Sequence, residues 1–167
     1  ALSEISGDMK SDLRMLRLLQ GDVGSGKTVV ALMAMLSAVE EGAQAALMAP
    51  TEILARQHFA TIAPLAEAIG IRAVLITGRD KGKKREALVD GLTSGETAIV
   101  IGTHALFQDD VQFKDLAFVV VDEQHRFGVH QRLALAEKGA SADILVMTAT
   151  PIPRTLMMTA YGDLETS

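Results

Sequence analysis

Six apolar runs of strand length recur along this chain, at 14–20, 43–50, 71–78, 97–104, 116–123 and 142–150. They are aliphatic and rich in β-branched residues, and stretches of helical pattern separate them at about 27–41, 51–68 and 83–92. Further helical stretches follow at about 129–138 and 152–160. Strands apolar on both faces and joined by helices require a parallel sheet with right-handed crossovers, because only helix-covered faces keep such strands out of water. The expected fold is therefore α/β, a mostly parallel sheet flanked by helices on both faces in three layers.

Local signals refine that outline. Thr51 fits a helix N-cap, with Glu52 in the first turn suiting the helix dipole. Pro64 is expected to kink or split the helix that follows. Residues 1–13 read as a partial helix, both ends read as cut, and the whole of 1–167 reads as one domain. The eight methionines are most simply core filler.

Composition removes several classes of function. The chain has no cysteine, so disulfides and thiolate metal sites are excluded. Its four histidines (His58, His104, His125, His130) form no HExxH pattern, which argues against a transition-metal site. No apolar run reaches membrane-spanning length and no signal peptide opens the chain, so the expectation is a cytoplasmic protein without a membrane partner. A formal charge of −5 argues against broad polyanion binding. The local exception is "GRDKGKKRE" (78–86), which reads either as a solvated helix start or as a phosphate-facing patch.

Four of the apolar runs end in polar clusters, "GDVGSGKT", "GTH", "DEQH" and "TAT". The carboxyl ends of parallel strands form the ligand crevice of an open α/β sheet, so four clusters there imply one extended site. The first cluster has the form of a P-loop, Gly21-Asp22-Val23-Gly24-Ser25-Gly26-Lys27-Thr28, between a strand and a helix. Its glycines let successive N–H groups turn toward one anion, and the helix start adds its positive dipole end. Lys27 is then expected at the β- and γ-phosphates of ATP, and the Thr28 hydroxyl on Mg²⁺.

Asp122 follows a fully apolar strand, where an ionised carboxylate is costly unless it meets a cation. It is expected to hold Mg²⁺ through a coordinated water, with Glu123 orienting and deprotonating the attacking water. Gln124 and His125 could sense the γ-phosphate or simply satisfy a helix start. Thr148 and Thr150 could bond to Asp122 or His125 across neighbouring strands, or serve as strand-end caps. Guanine selectivity lacks its Asn-Lys-x-Asp element, and no Arg-rich lid suggests a small-molecule kinase.

The segments "GDVGSGKT", "APTEILARQH", "TGRDKGKKRE", "IGTHAL", "VVDEQHRFGVHQR" and "TATPIPRTL" resemble motifs I, Ia, Ib, Ic, II and III of superfamily 2 helicases, in order. "DEQHRFGVHQRLAL" and "TATPIPRTLMMTAYGDL" resemble the RecG family of bacterial branched-DNA translocases more specifically, from about Arg14 onward. The transcription-repair coupling factor is similar in "HRFGV" and "TATPIPRTL", but usually carries a second Glu where this chain has Gln124.

This resemblance implies a RecA-like P-loop NTPase fold and an ATP-driven motor in DNA recombination and repair, acting on forks and Holliday junctions in the bacterial nucleoid. It implies no small-molecule substrate other than ATP. Gln124, His125, Thr148 and Thr150 would couple nucleotide state to movement. Pro50, Thr51, Gly78, Arg79, Gly102, Thr103, His104 and Arg154 would line the DNA path, Arg154 having a surface salt bridge as its plain alternative. The family's adenine-recognising Gln segment, wedge domain and second RecA-like domain are not in this sequence, so the chain reads as a first motor domain, nearly inactive alone. A nucleotide-binding regulatory module without motor activity is the alternative of another class, disfavoured by Glu123.

Overall fold

The structure, a computed structural model, describes residues 16–20, 26–122, 142–148 and 165–166. Strands β1 (Leu16–Gln20), β2 (Gln44–Met48), β3 (Ala73–Ile76), β4 (Ile99–Gly102), β5 (Leu116–Asp122), β6 (Asp143–Thr148) and β7 (Glu165–Thr166) form one sheet. Helices α1 (Lys27–Glu40), α2 (Glu52–Ala68) and α3 (Gly82–Ser94) connect the first four strands, and a 3-10 turn covers His104–Phe107. The sheet order is β3-β4-β2-β5-β6-β1-β7 and every pairing is parallel. The six expected strands are all present. The helices expected at 1–13, 129–138 and 152–160 lie outside the described residues.

Strand alternation sorts the core into two faces. Ala45, Leu47, Ile99, Ile101, Phe118, Val120, Leu145 and Met147 pack under α1 and α2. Ala46, Met48, Val74, Ile76, Val100, Val119, Val121 and Val146 face the other way, toward Leu92 of α3 and Leu106 of the 3-10 turn. This is the expected three-layer arrangement. The helix residues buried against the first face are mostly small, Ala31, Ala34, Ala38, Ala55, Ala63 and Ala66, which lets two helix backbones lie close to the sheet. Met35, Met48 and Met147 are buried as expected, whereas Met33 is exposed on α1.

Three local outcomes differ from the sequence reading. Helix α2 runs unbroken through Pro64, because Pro64 and Ala60, whose carbonyl loses its donor, are both exposed and water can replace the missing bond. The 97–104 strand stops at Gly102, and Thr103 instead caps the 3-10 turn, its hydroxyl accepting from the Ala105 N–H at 3.5 Å. Glu165–Thr166 adds a short parallel strand beside β1, where two residues carry no periodicity to reveal it.

The amino edge of the sheet is tied by one buried side chain. Gln44 Nε2 donates to the carbonyls of Leu92 and Thr97, both at 2.8 Å, and its Oε1 accepts from the Asp115 N–H at 2.9 Å. One residue thereby closes the ends of α3, β4 and β5 around β2.

Candidate functional site

The sheet order divides the carboxyl edge into two contiguous halves. On one half lie the ends of β5, β6 and β1. Gln20 at the end of β1 is in register with Thr148 at the end of β6, and Asp122 at the end of β5 is in register with Met147. Helix α1 starts at this edge. Its N-cap, Gly26, has φ 84°, a left-handed conformation that a Cβ would strain although nothing lies within 4 Å of one. The first turn of α1 has no capping side chain and no acidic residue. Its N–H groups and dipole end therefore favour an anion, beside Lys27 and Thr28, both half-buried in that turn. Gly21–Ser25, Glu123, Gln124, His125, Thr150 and Arg154 lie outside the described residues.

Asp122 continues the alternation of Phe118 and Val120, so it falls on the α1/α2 face of the sheet. There His58 of α2 meets it, with Nε2 2.5 Å from Oδ2. The two side chains are only 13% and 17% exposed, so the pair is sheltered from solvent. With the carboxylate oxygen as acceptor, the imidazole Nε2–H is the donor of this bond. Sequence reasoning had looked for Asp122's partner among strand-end threonines, whereas this bond comes from a helix. A signal was available. Ala55, Ile62 and Ala66 mark the sheet-facing stripe of α2, and His58 stands three residues after Ala55 on that stripe.

The other half of the edge is formed by β3, β4 and β2, and each strand ends in one of the segments expected along a DNA path. After β2 come Pro50 and Thr51, and the Thr51 hydroxyl caps α2 by accepting from the Leu54 N–H at 3.2 Å. After β3, Gly78 and Arg79 sit in an exposed turn whose Asp80 carboxylate accepts from the Thr77 N–H at 2.8 Å. Burial pushes the Asp80 carboxyl up, but that hydrogen bond and the Lys84 ammonium outweigh it and hold it below the ordinary carboxylate value. After β4, Thr103 and His104 reach solvent, while Gly102 is buried. A Cβ at Gly102 would lie 2.5 Å from the Ile76 carbonyl and 2.9 Å from the Leu106 side chain, so packing accounts for this glycine.

The basic run at 78–86 separates into two groups. Arg85 is a packing residue, bonded to both carboxylate oxygens of Asp110 at 2.7 and 2.9 Å and to Gln108 at 2.7 Å. Its bond to Asp110 raises its already high pKa. Lys84 returns to Asp80 at 3.0 Å. Arg79, Lys81 and Lys83 project from the surface at the β3 end of the edge.

A parallel α/β sheet with an anion-favouring helix start and a strand-end carboxylate at one edge is the arrangement of a P-loop nucleotide-binding domain. Residues 8–159 match the DEAD/DEAH box helicase family, and the chain belongs to it; membership implies the use of ATP. Among curated proteins, the chain is 56% identical over 168 residues to ATP-dependent DNA helicase RecG of Pasteurella multocida, and 54% identical over 166 residues to that of Bacillus subtilis. It spans 24% of the length of each of these relatives, and they cover 98% and 99% of it. A structure of RecG bound to a three-way DNA junction superposes with TM-score 0.82 at 46% identity, over 98% of this chain and 22% of that one. Dbp5 bound to RNA and ADP BeF3, from S. cerevisiae, shares the fold, with TM-score 0.73 at 18% identity over 99% of this chain and 44% of that one. Among the described residues, no helix is long and apolar enough to cross a membrane.

Proposed function

We propose that this chain is the first motor domain of a bacterial, cytoplasmic ATP-dependent DNA helicase of the RecG kind, one that remodels stalled forks and Holliday junctions. The observation that carries the reading is the divided sheet edge. Strands β1, β6 and β5 bring Lys27 and Asp122 to one half, and β2, β3 and β4 end in Pro50-Thr51, Gly78-Arg79 and Thr103-His104 on the adjoining half. The RecG relatives and the junction-bound RecG structure support it.

In this reading the amides of 21–28 wrap the ATP phosphates, and the Lys27 ammonium neutralises the β- and γ-phosphates. Among the described residues, no group of three or more His, Cys, Asp or Glu could hold a metal. One strand-end carboxylate near a phosphate cradle instead suits Mg²⁺, which binds through one or two protein oxygens, substrate phosphates and water. Thr28 and Asp122 are the residues to hold it, and it would supply charge neutralisation at the departing phosphate. Glu123 orients and deprotonates the attacking water. Gln124, His125, Thr148 and Thr150 pass the nucleotide state to a second RecA-like domain elsewhere in the complete protein, where a wedge domain also grips the branch.

Pro50, Thr51, Gly78, Arg79, Thr103, His104 and Arg154 contact sugar-phosphate without reading sequence. Motion along DNA needs a grip that differs between the nucleotide states, because only differential affinity biases an equilibrium.

The test is Lys27→Ala in the complete protein. ATPase stimulated by fork DNA should fall by roughly a hundredfold or more, as for loss of a positioned charge in a dry site, while nucleotide-free junction binding persists. A variant that hydrolyses ATP and unwinds at the unaltered rate refutes the reading. Stimulation by linear duplex equal to that by forks would point instead to a coupling-factor type of motor.

A further inference from the structure

Asp122 ends a strand whose preceding residues are all apolar, and 17% side-chain exposure leaves its carboxylate little water. A sheltered carboxylate needs hydrogen bonds to hold one orientation. The structure supplies one from His58, which stands on the second turn of α2, a helix already fixed by the buried Ala55, Ile62 and Ala66. The imidazole is 13% exposed and sits on a rigid element rather than a loop, so its position is set by the helix packing. Ring and carboxylate therefore constrain each other.

We infer that His58 is a positioning residue for the metal site: its Nε2–H holds Oδ2 of Asp122 and so fixes the carboxylate that would hold Mg²⁺. This rests on the reading of Asp122 as the Mg²⁺-holding carboxylate. The same helix carries Thr51 and Glu52 at its N-terminus, about 9 Å along the axis from His58 at 1.5 Å per residue. The contact thus joins the nucleotide half of the edge to the element that opens the DNA half.

The complete protein is titrated with mant-ADP, in excess Mg²⁺ and in EDTA. His58→Met preserves side-chain length without a donor, and His58→Gln returns an amide donor at similar reach. In His58→Met, the Mg²⁺ concentration for half-maximal tightening of mant-ADP binding should rise about tenfold, the usual cost of losing a partner that orients a metal ligand. His58→Gln should recover most of that loss. Affinity in EDTA should be the same in all three proteins, an outcome that a role in packing alone would not produce.

Asp122→Asn separates the two layers of the argument. If it leaves the Mg²⁺ dependence intact, the reading of Asp122 fails and the role of His58 fails with it. If Asp122→Asn removes the dependence but His58→Met matches the unaltered protein, or His58→Gln is as impaired as His58→Met, only the role of His58 is overturned. Should His58→Met not fold, His58→Gln is compared with His58→Asn, whose amide is too short to reach. Equal Mg²⁺ dependence in those two overturns the inference.

Discussion

Arg79, from the turn after β3, is bound to Glu52 in the first turn of α2, with Nε 3.1 Å from Oε2. The other oxygen of Glu52 takes Arg56 of the same helix at 2.8 Å. Glu52 thus draws together the ends of β2 and β3, strands separated in the sheet by β4. Arg79 is 80% exposed, so the pair stabilises the fold little, about 0–1 kcal/mol. Its charge remains accessible to a phosphate.

Arg79→Ala should therefore weaken nucleotide-free binding to fork DNA and lower the slope of log affinity against log salt by roughly one, as for loss of one phosphate contact. Glu52→Gln removes a competing anion and should raise low-salt affinity roughly two- to fivefold, a change of no more than about 1 kcal/mol. Salt-dependent binding isotherms check both. Unchanged slopes in Arg79→Ala would remove this arginine from the DNA path.

Gln44 should be far less tolerant. Gln44→Leu leaves the buried Thr97 carbonyl and the half-buried Asp115 N–H without their side-chain partner, while the Leu92 carbonyl keeps the Gly95 and Lys114 N–H groups. Each group left unsatisfied in a buried place costs about 1–3 kcal/mol. Hydrogen exchange in the complete protein should show lost protection at the ends of α3, β4 and β5, with little change around α1. Protection equal to that of the unaltered protein would show that water replaces the amide.

Asp80 gives a pH dependence of known sign. Its folded pKa lies below the ordinary 3.8, so its ionised form stabilises the native turn. That contribution is complete above the ordinary value and disappears as pH falls through the folded one. Asp80→Asn should reduce amide protection in the 77–80 turn at pH 6, and the difference from the unaltered protein should shrink as pH falls below about 4. A difference constant down to pH 2 would assign the loss to geometry rather than charge.

Much of this arrangement was legible in the residues. Apolar runs with β-branched residues located the strands, and Thr51 with Glu52 marked the start of α2 correctly. The polar cluster after 116–121 identified Asp122 as a strand-end acid, where the structure has it. Pro64 did not split α2, because that effect depends on whether the freed carbonyl meets water, a matter of exposure rather than propensity. Gly102, read as a DNA-facing residue, also has a packing reason that the sequence did not show, because sequence does not distinguish a glycine needed for contact from one needed for space. His58 was counted only among histidines that lack a metal pattern, because its partner is distant in the chain.

Composition, hydrophobic period and glycine placement are local quantities, and they were enough to locate six strands and the three described helices, and to predict that the strands run parallel. The order β3-β4-β2-β5-β6-β1-β7 was decided by the tertiary structure alone. Burial of apolar surface is non-directional, so each strand could satisfy it beside several neighbours. That order separates the β5-β6-β1 part of the edge from the β3-β4-β2 part, and it sets β5 beside β2, whose following helix carries His58 to Asp122.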